Sequence, residues 1–255
     1  MKLIFCLLIS FACCTMGCTN AQNVQPIKKE GIFSPVAVIE LFTSQGCSSC
    51  PPADALLTQT IATAKEKGQN IYALSFHVDY WNRLGWTDPF SEHAYSQRQA
   101  DYVSSLKLNG AYTPQMVVNG KAEFVGSDES ALNRNLQMAL NGKAKVGFKT
   151  LEATNEKGSI SLKYSLDGDF SNTTINAALV SLKEVTSVKR GENGGRTLVN
   201  ENVVRNFITQ NAQTSGVITL DAAAIKDKNN FSIIVFIQNK NTLEITGAST
   251  AAITF

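Results

Sequence analysis

Between residues 35 and 145, short apolar runs alternate with stretches whose apolar positions repeat at helical spacing. The hairpin signal Asn119-Gly120 lies between two further apolar runs, and Ser127-Asp128-Glu129 precedes a third helical stripe. The predicted elements are strands at 36–42 and 70–78, helices at 53–61, 91–107 and from 129, and a hairpin around 119–120. This order of strand, helix, strand, helix, hairpin and helix predicts an α/β domain over residues 35–145.

The second half of the chain has a different pattern. Ile160 to Leu166 alternates apolar and polar residues, as a half-buried strand does. Further strand candidates, separated by turn residues, are 177–182, 217–220 and 231–237. Because no helical stripe interrupts them, residues 146–255 are predicted to form an all-β, sandwich-like domain.

The N-terminus has the pattern of an export signal. Lys2 precedes a short apolar stretch at 3–11, so residues 1–17 are predicted to be a signal peptide. Thr15-Met16-Gly17-Cys18 resembles a lipoprotein cleavage box, which makes Cys18 a candidate for lipidation; cleavage near Ala21 is the alternative. Residues 18–34 are polar and aperiodic and are predicted to be a linker or tether. The protein is therefore expected to be exported to the periplasm, either free or lipid-anchored to a membrane.

Composition narrows the function only slightly. The 255 residues are 44% hydrophobic and 17% charged, which is typical of a globular protein. The formal net charge of +2 is too small to indicate nucleic acid as a partner.

The cysteines point to one kind of chemistry. Cys6, Cys13, Cys14 and Cys18 lie in or at the end of the signal segment, so the mature chain keeps Cys47 and Cys50. A disulfide between them would close a minimal loop and remove little entropy from the unfolded chain. Such a pair, placed between a strand and a helix, favours thiol–disulfide exchange, in which Cys47 attacks and Cys50 resolves the mixed disulfide. An inert disulfide is the alternative.

Residues 35–145 resemble the thioredoxin-like superfamily in carrying Cys47-Ser48-Ser49-Cys50 and, further on, Thr113-Pro114. The segments 40–52, 76–81, 84–86, 88–90, 190–198 and 202–205 are similar to a family of secreted bacterial thioredoxin-like proteins known as a domain of unknown function. The resemblance implies an α/β thioredoxin-like domain followed by an all-β sandwich-like domain. It also implies that Pro114 is a cis-proline beside the disulfide and that the Thr113 backbone meets an extended substrate.

Several residues near these motifs have two interpretations. Glu40, near the position of the buried acidic residue of thioredoxins, can either exchange a proton during resolution or point outward. His77 can adjust the Cys47 thiolate or sit in a hydrogen-bonded core. Asp79, Trp81 and Trp86 can wall a substrate groove or belong to the core. The Gly-rich loop Gly191–Arg196 is predicted to be a flexible hairpin or, alternatively, a cover that restricts access to the CxxC.

The predicted function is a periplasmic thiol–disulfide oxidoreductase whose partners are protein or small-molecule thiols and disulfides. No organic cofactor, metal site or nucleic acid is expected. One alternative is a copper-delivery module using Cys47, Cys50 and His77, since thiolates suit Cu(I). Another is a binding protein in which the CxxC domain is only a scaffold.

Overall fold

Twelve strands and three α-helices make up residues 33–255, the part of the chain that the computed structural model describes. The helices are α1 (Pro51–Glu66), α2 (His93–Ser105) and α3 (Glu129–Leu140). The strands are β1 (Ala37–Thr43), β2 (Ile71–His77), β3 (Gln115–Val118), β4 (Ala122–Val125), β5 (Val146–Glu156), β6 (Ser159–Gly168), β7 (Thr173–Ser187), β8 (Thr197–Asn211), β9 (Ser215–Asp221), β10 (Phe231–Asn239), β11 (Ile245–Ala251) and β12 (Ile253–Thr254). The predicted signal peptide, the tether up to residue 32 and Cys18 lie outside the described residues.

Local sequence signals explain several of these elements. Asn119 and Gly120 both have positive φ, 50° and 65°, and join β3 to β4 as the predicted hairpin. The Asp128 side chain accepts a hydrogen bond from the Ala131 amide, which caps α3 as expected. The first turn of α1 contains Pro51 and Pro52, where a missing N–H costs the helix nothing. None of the helices in the described part of the chain is long and apolar enough to cross a membrane.

The strands form two mixed sheets. The larger sheet has eight strands in the order β11-β10-β7-β8-β2-β1-β3-β4, and the smaller has four in the order β12-β5-β6-β9. β1 and β2 are parallel along their whole length, whereas β7 and β8 form a long antiparallel pair. β2 meets β8 through a parallel pairing of Ser75 with Val203, and the Asn202 amide donates to the Ala73 carbonyl.

This pairing overturns the predicted fold class. An α/β thioredoxin-like domain followed by a separate all-β sandwich is wrong, because residues 33–255 are mostly β and the eight-stranded sheet runs through both halves of the chain. The reason lies in β8, which has no continuous apolar run and was therefore not predicted as a strand. Its polar residues include Asn200, Glu201, Asn202 and Arg205. This strand joins the sheet begun by β1 and β2, about 120 positions after β2 ends, through contacts that no local pattern encodes.

Alternation along the strands sorts the core onto the two faces of the larger sheet. Val38 and Phe42 of β1 pack with Tyr102 of α2 on one face. Ile39 and Leu41 pack on the opposite face, with α1 and α3. The smaller sheet packs against the alternate residues of β7 and β10. Every residue of β1 is buried, because both of its faces are covered.

Candidate functional site

The two cysteines form a buried disulfide between β1 and α1. Cys47 and Cys50 have Cα atoms 5.5 Å apart, and both residues are completely buried, while Ser48 and Ser49 between them are exposed. The Cys50 carbonyl accepts hydrogen bonds from the Ala53 and Asp54 amides, so Cys50 is continuous with the first turn of α1. Cys47 belongs to the turn that leads into it.

The Thr113-Pro114 segment lies against Cys47. Its peptide bond is cis, and the Thr113 carbonyl oxygen is 3.9 Å from the Cys47 Sγ and 3.4 Å from the Ser49 hydroxyl. The Trp81 indole N–H donates to the Thr113 hydroxyl at 2.7 Å, which fixes this segment beside the turn. The structure therefore brings together Cys47, Cys50, Thr113 and Pro114, which lie far apart in the sequence.

A buried polar cluster lies on the α1 side of β1 and β2. His77 Nδ1 is 2.7 Å from Asp88 Oδ2, and both side chains are fully buried. The same Asp88 oxygen accepts the Gln45 amide at 2.7 Å, which ties the turn before Cys47 to this pair. The Gln45 side chain donates to Asn200 of β8 and accepts the indole N–H of Trp86.

Asp54 extends the cluster toward the disulfide. It follows Cys50 by four residues on α1, so the two side chains share one helix face. Burial raises the pKa of Asp54 to about 6, although the nearby His77 charge partly offsets this effect. Within residues 33–255, Asp54 Oδ1 and His77 Nε2 are both buried without a hydrogen-bond partner, as is the Ser75 hydroxyl on the same face.

The pKa values of the two partners of the ion pair, His77 and Asp88, are shifted in opposite directions. Burial disfavours the charged form of His77, but the Asp88 carboxylate outweighs burial and raises the pKa of His77. Burial likewise opposes ionisation of Asp88, yet the charge and the hydrogen bond of His77 hold the pKa of Asp88 below its ordinary value. The cluster is thus an ion pair next to a carboxyl group, Asp54, that keeps its proton into the mildly acidic range.

From the sequence, Glu40 is a candidate proton acceptor for the cysteines. In the structure its carboxylate instead binds residues of α2. Arg98 of α2 donates to its carboxylate through Nε at 2.5 Å and Nη2 at 3.0 Å, and the Tyr102 hydroxyl donates as well. The Arg98 guanidinium is also packed against aromatic rings, including that of Phe207 at 4.9 Å. Because strand residues alternate, Glu40 points to the face opposite α1 and its cysteine. Its contacts indicate a buried structural ion pair.

The three residues considered as walls of a substrate groove, Trp81, Trp86 and Asp79, lie in different surroundings. Trp81 and Trp86 contact the turn through Thr113 and Gln45. Asp79 instead accepts from Ser96 and contacts His93, and these partly exposed contacts do not reach the cysteines. The site residues that sequence reasoning missed are Gln45, Asp54, Asp88 and Asn200, whereas Asn193 lies in the Gly191–Arg196 loop that it singled out. Only Asp54 carried a local signal, its spacing of four from Cys50 on a predicted helix.

The Gly191–Arg196 loop packs against the cysteine turn, which is the segment from Ser44 to Cys50 between β1 and α1. The side-chain amide of Asn193 is fully buried and donates to the Gln45 carbonyl at 3.0 Å and to the Cys47 carbonyl at 2.9 Å. The Glu192 carboxylate accepts the Ser48 amide at 2.9 Å. The loop therefore lies against the CxxC, as expected if it covers the site. That it restricts access stays a prediction.

No metal-binding group of three or more His, Cys, Asp or Glu residues occurs within residues 33–255. His77, the third ligand considered for copper, is bound through Nδ1 to Asp88. Copper delivery has no observation in its favour beyond the two cysteines, and it stays a prediction.

The fold and the site define a mostly β protein with a buried CxxC disulfide between a strand and a helix. By sequence, the chain belongs to the family described as "Protein of unknown function (DUF1223)", whose model matches residues 38–238. No curated protein matches it.

Two solved structures share this architecture. Protein AGR_C_4864 from Agrobacterium tumefaciens is 29% identical, with a TM-score of 0.64 over 85% of this chain and 94% of its own. HBP35 of Porphyromonas gingivalis is 14% identical, with a TM-score of 0.61 over 88% of this chain and 76% of its own. At that identity, the second likeness concerns the fold alone.

Proposed function

We propose that this protein is an exported thiol–disulfide oxidoreductase that works through Cys47 and Cys50. The observation that carries the proposal is the buried carboxyl of Asp54, one helical turn from Cys50. A buried carboxyl without a full set of partners destabilises a fold, so its position behind a disulfide favours a chemical role. A disulfide that closes so small a loop gives little stability in return.

The reaction is an exchange of disulfide bonds. A partner thiolate attacks the Cys47 sulfur, the Cys47–Cys50 bond breaks, and Cys50 leaves as a thiolate that takes up a proton. A second partner thiolate then attacks the partner's sulfur in the mixed disulfide. The partner is oxidised to a disulfide, and Cys47 leaves reduced. The reverse sequence oxidises the protein and reduces a partner disulfide.

Asp54 is suited to exchange the Cys50 proton. Its pKa of about 6 lies close to neutral pH, where a general acid or base is most effective. It lies on the Cys50 face of α1, whereas Glu40 lies across the sheet. Asp54 therefore replaces Glu40 as the proposed proton acceptor.

Thr113 is suited to meet the partner. Its carbonyl faces Cys47, so in the reduced protein it can accept a hydrogen bond from the Cys47 thiol or from an extended partner chain. This local arrangement of CxxC, helix and proline segment resembles that of thioredoxin-like oxidoreductases, and we propose the resemblance for the local arrangement only. Export is proposed from the N-terminal pattern, with lipidation of Cys18 or cleavage near Ala21 as its two forms.

The test is redox equilibration of the full chain in glutathione buffers, with the Cys47–Cys50 disulfide quantified by alkylation and mass spectrometry. We expect reversible cycling with a defined potential, and a mixed disulfide trapped at Cys47 in the variant Cys50→Ser. The matched variant Cys47→Ser is expected to trap far less. A pair that stays oxidised in every buffer, or a Cys50→Ser variant that traps nothing, would refute the proposal.

A further inference from the structure

The tip of the β7–β8 hairpin, residues 188–196, is built as an ordered turn. Val188 and Arg196 pair through the Val188 amide at 2.9 Å, and the Gly195 amide donates back to Val188. Gly195 has a φ of 82° and Gly191 a φ of 75°, and a Cβ at Gly191 would lie 3.1 Å from the Trp86 Cβ. The turn geometry thereby presents Glu192 and Asn193 in fixed positions toward the cysteine turn.

Asn193 and Glu192 attach the tip to the cysteine turn in different ways. Asn193 is buried, and its carbonyl oxygen accepts from Arg196 at 2.8 Å while its amide binds two carbonyls of the turn. Glu192 is exposed and binds the Ser48 amide, the N–H of the peptide that joins Ser48 to Cys47. Asn193 thus anchors the tip by neutral hydrogen bonds, whereas Glu192 adds a full negative charge next to Cys47.

That charge has a consequence for the reduced protein. A cysteine attacks as its thiolate, which nearby amide donors and positive charge stabilise and negative charge opposes. The hydrogen bonds from Ser48 hold the pKa of Glu192 below its ordinary value, so its carboxylate is charged at neutral pH. It occupies the Ser48 amide in the turn before α1 and would repel a negative charge on the Cys47 sulfur.

Other titratable and charged groups lie near this turn, and the tip itself also carries Lys189 and Arg190. Asp54 approaches from α1, His77 from β2, Asp88 from the loop after β2, and Arg196 from the tip. Asp88 and His77 form a pair of opposite charge, and Arg196 is directed to Asn193. Glu192 contacts the backbone between the two cysteines directly, from the solvent side.

We propose that Glu192 is a positioning residue that holds back the reactivity of Cys47, since its carboxylate docks the tip on the Ser48 amide and disfavours the Cys47 thiolate. This inference rests on the proposed function and deepens it by naming how the site is regulated. By linkage, whatever the carboxylate does to the thiolate, the thiolate does to docking. Release of Cys47 as a thiolate therefore weakens the tip's hold, and oxidation restores it.

The experiment compares Glu192→Gln with the matched variant Glu201→Gln in a Cys50→Ser background of the full chain. Gln keeps an oxygen that can accept the Ser48 amide, so the first variant removes the charge but not the contact. Glu201 lies on β8 of the same hairpin next to Asn200, and strand alternation points it to the other face. The measurement is the iodoacetamide reaction rate of Cys47 against pH, followed on its peptide by mass spectrometry.

At neutral pH and low salt, we expect Glu192→Gln to raise the Cys47 reaction rate about threefold, the size that a unit charge a few ångströms away produces in water. The pH profile should move to lower pH, and 1 M salt should remove most of the difference because the charge is exposed. Glu201→Gln should behave like the parent. An unchanged rate in Glu192→Gln, or an equal change in Glu201→Gln, would overturn the inference.

A second measurement separates this inference from the proposed function. At a pH above the Cys47 pKa, where the dithiol form carries the Cys47 thiolate, and with Cys50 present, Glu192→Gln should shift the glutathione equilibrium about threefold toward the dithiol. This is about 14 mV to a more oxidising potential, since tenfold corresponds to 29.6 mV. If the disulfide fails to cycle in the parent, the proposed function fails. A charge effect on Cys47 in the Cys50→Ser background would still support the role of Glu192 on the thiol.

Discussion

Replacing Asp54 by Asn tests the central claim that a buried carboxyl is maintained behind the disulfide at a cost in stability. Burial raises the pKa of Asp54 from 3.8 to about 6. Between these values the native protein binds a proton that the unfolded chain has released, so the free energy of unfolding falls as the pH rises. The contribution is fully present below about pH 4 and lost above about pH 6. A shift of about two units corresponds to about 3 kcal/mol.

The variant Asp54→Asn should remove this loss. At pH 7.5 it should be more stable than the parent by about 1 to 3 kcal/mol. The gain falls short of the full figure because Asp54 also supports protonation of His77. The two proteins should converge near pH 4. Urea unfolding at several pH values, with the disulfide intact, measures this difference.

The matched control is Glu66→Gln, an exposed carboxyl at the end of the same helix, which should leave the pH dependence unchanged. The stabilised Asp54→Asn variant should also resolve mixed disulfides about a hundredfold more slowly, since it lacks the proton acceptor. Parallel stability curves for the parent and Asp54→Asn from pH 4 to 8 would refute the reasoning.

Two further predictions concern the surroundings of the site. Glu40→Gln should lower the free energy of unfolding by about 3 to 5 kcal/mol, because it leaves the Arg98 charge buried without its carboxylate. Urea unfolding checks this, and a Glu40→Gln protein that folds but resolves mixed disulfides more slowly than the parent would return Glu40 to the chemistry. Gly191→Ala should displace the hairpin tip, since its Cβ would lie 3.1 Å from the Trp86 Cβ at a φ of 75°. Its disulfide should be reduced faster by dithiothreitol, and an unchanged rate would show that the tip does not limit access.

Local patterns were enough to predict many of the elements and the position of the cysteine pair. The apolar runs that became β1 and β2, the Asn119-Gly120 hairpin and the Asp128 cap were correctly predicted, because neighbouring residues decide such structures. The pair Cys47 and Cys50 was correctly placed between a strand and a helix. The spacing of Asp54 from Cys50 was available as a signal, although burial is what gives this residue its raised pKa.

The tertiary structure decided which carboxyl lies on the α1 side of β1 and which distant residues pack against the cysteine turn. Glu40 and Asp54 are both acidic residues near the CxxC in sequence, yet strand alternation sends Glu40 to Arg98 on one face while α1 carries Asp54 on the other. Glu192 and Asn193 reach the cysteine turn from more than 140 residues away. They do so because the polar strand β8 joins the sheet beside β2. Such contacts depend on the pairing of distant strands, and the residues on either side of them in the sequence do not encode it.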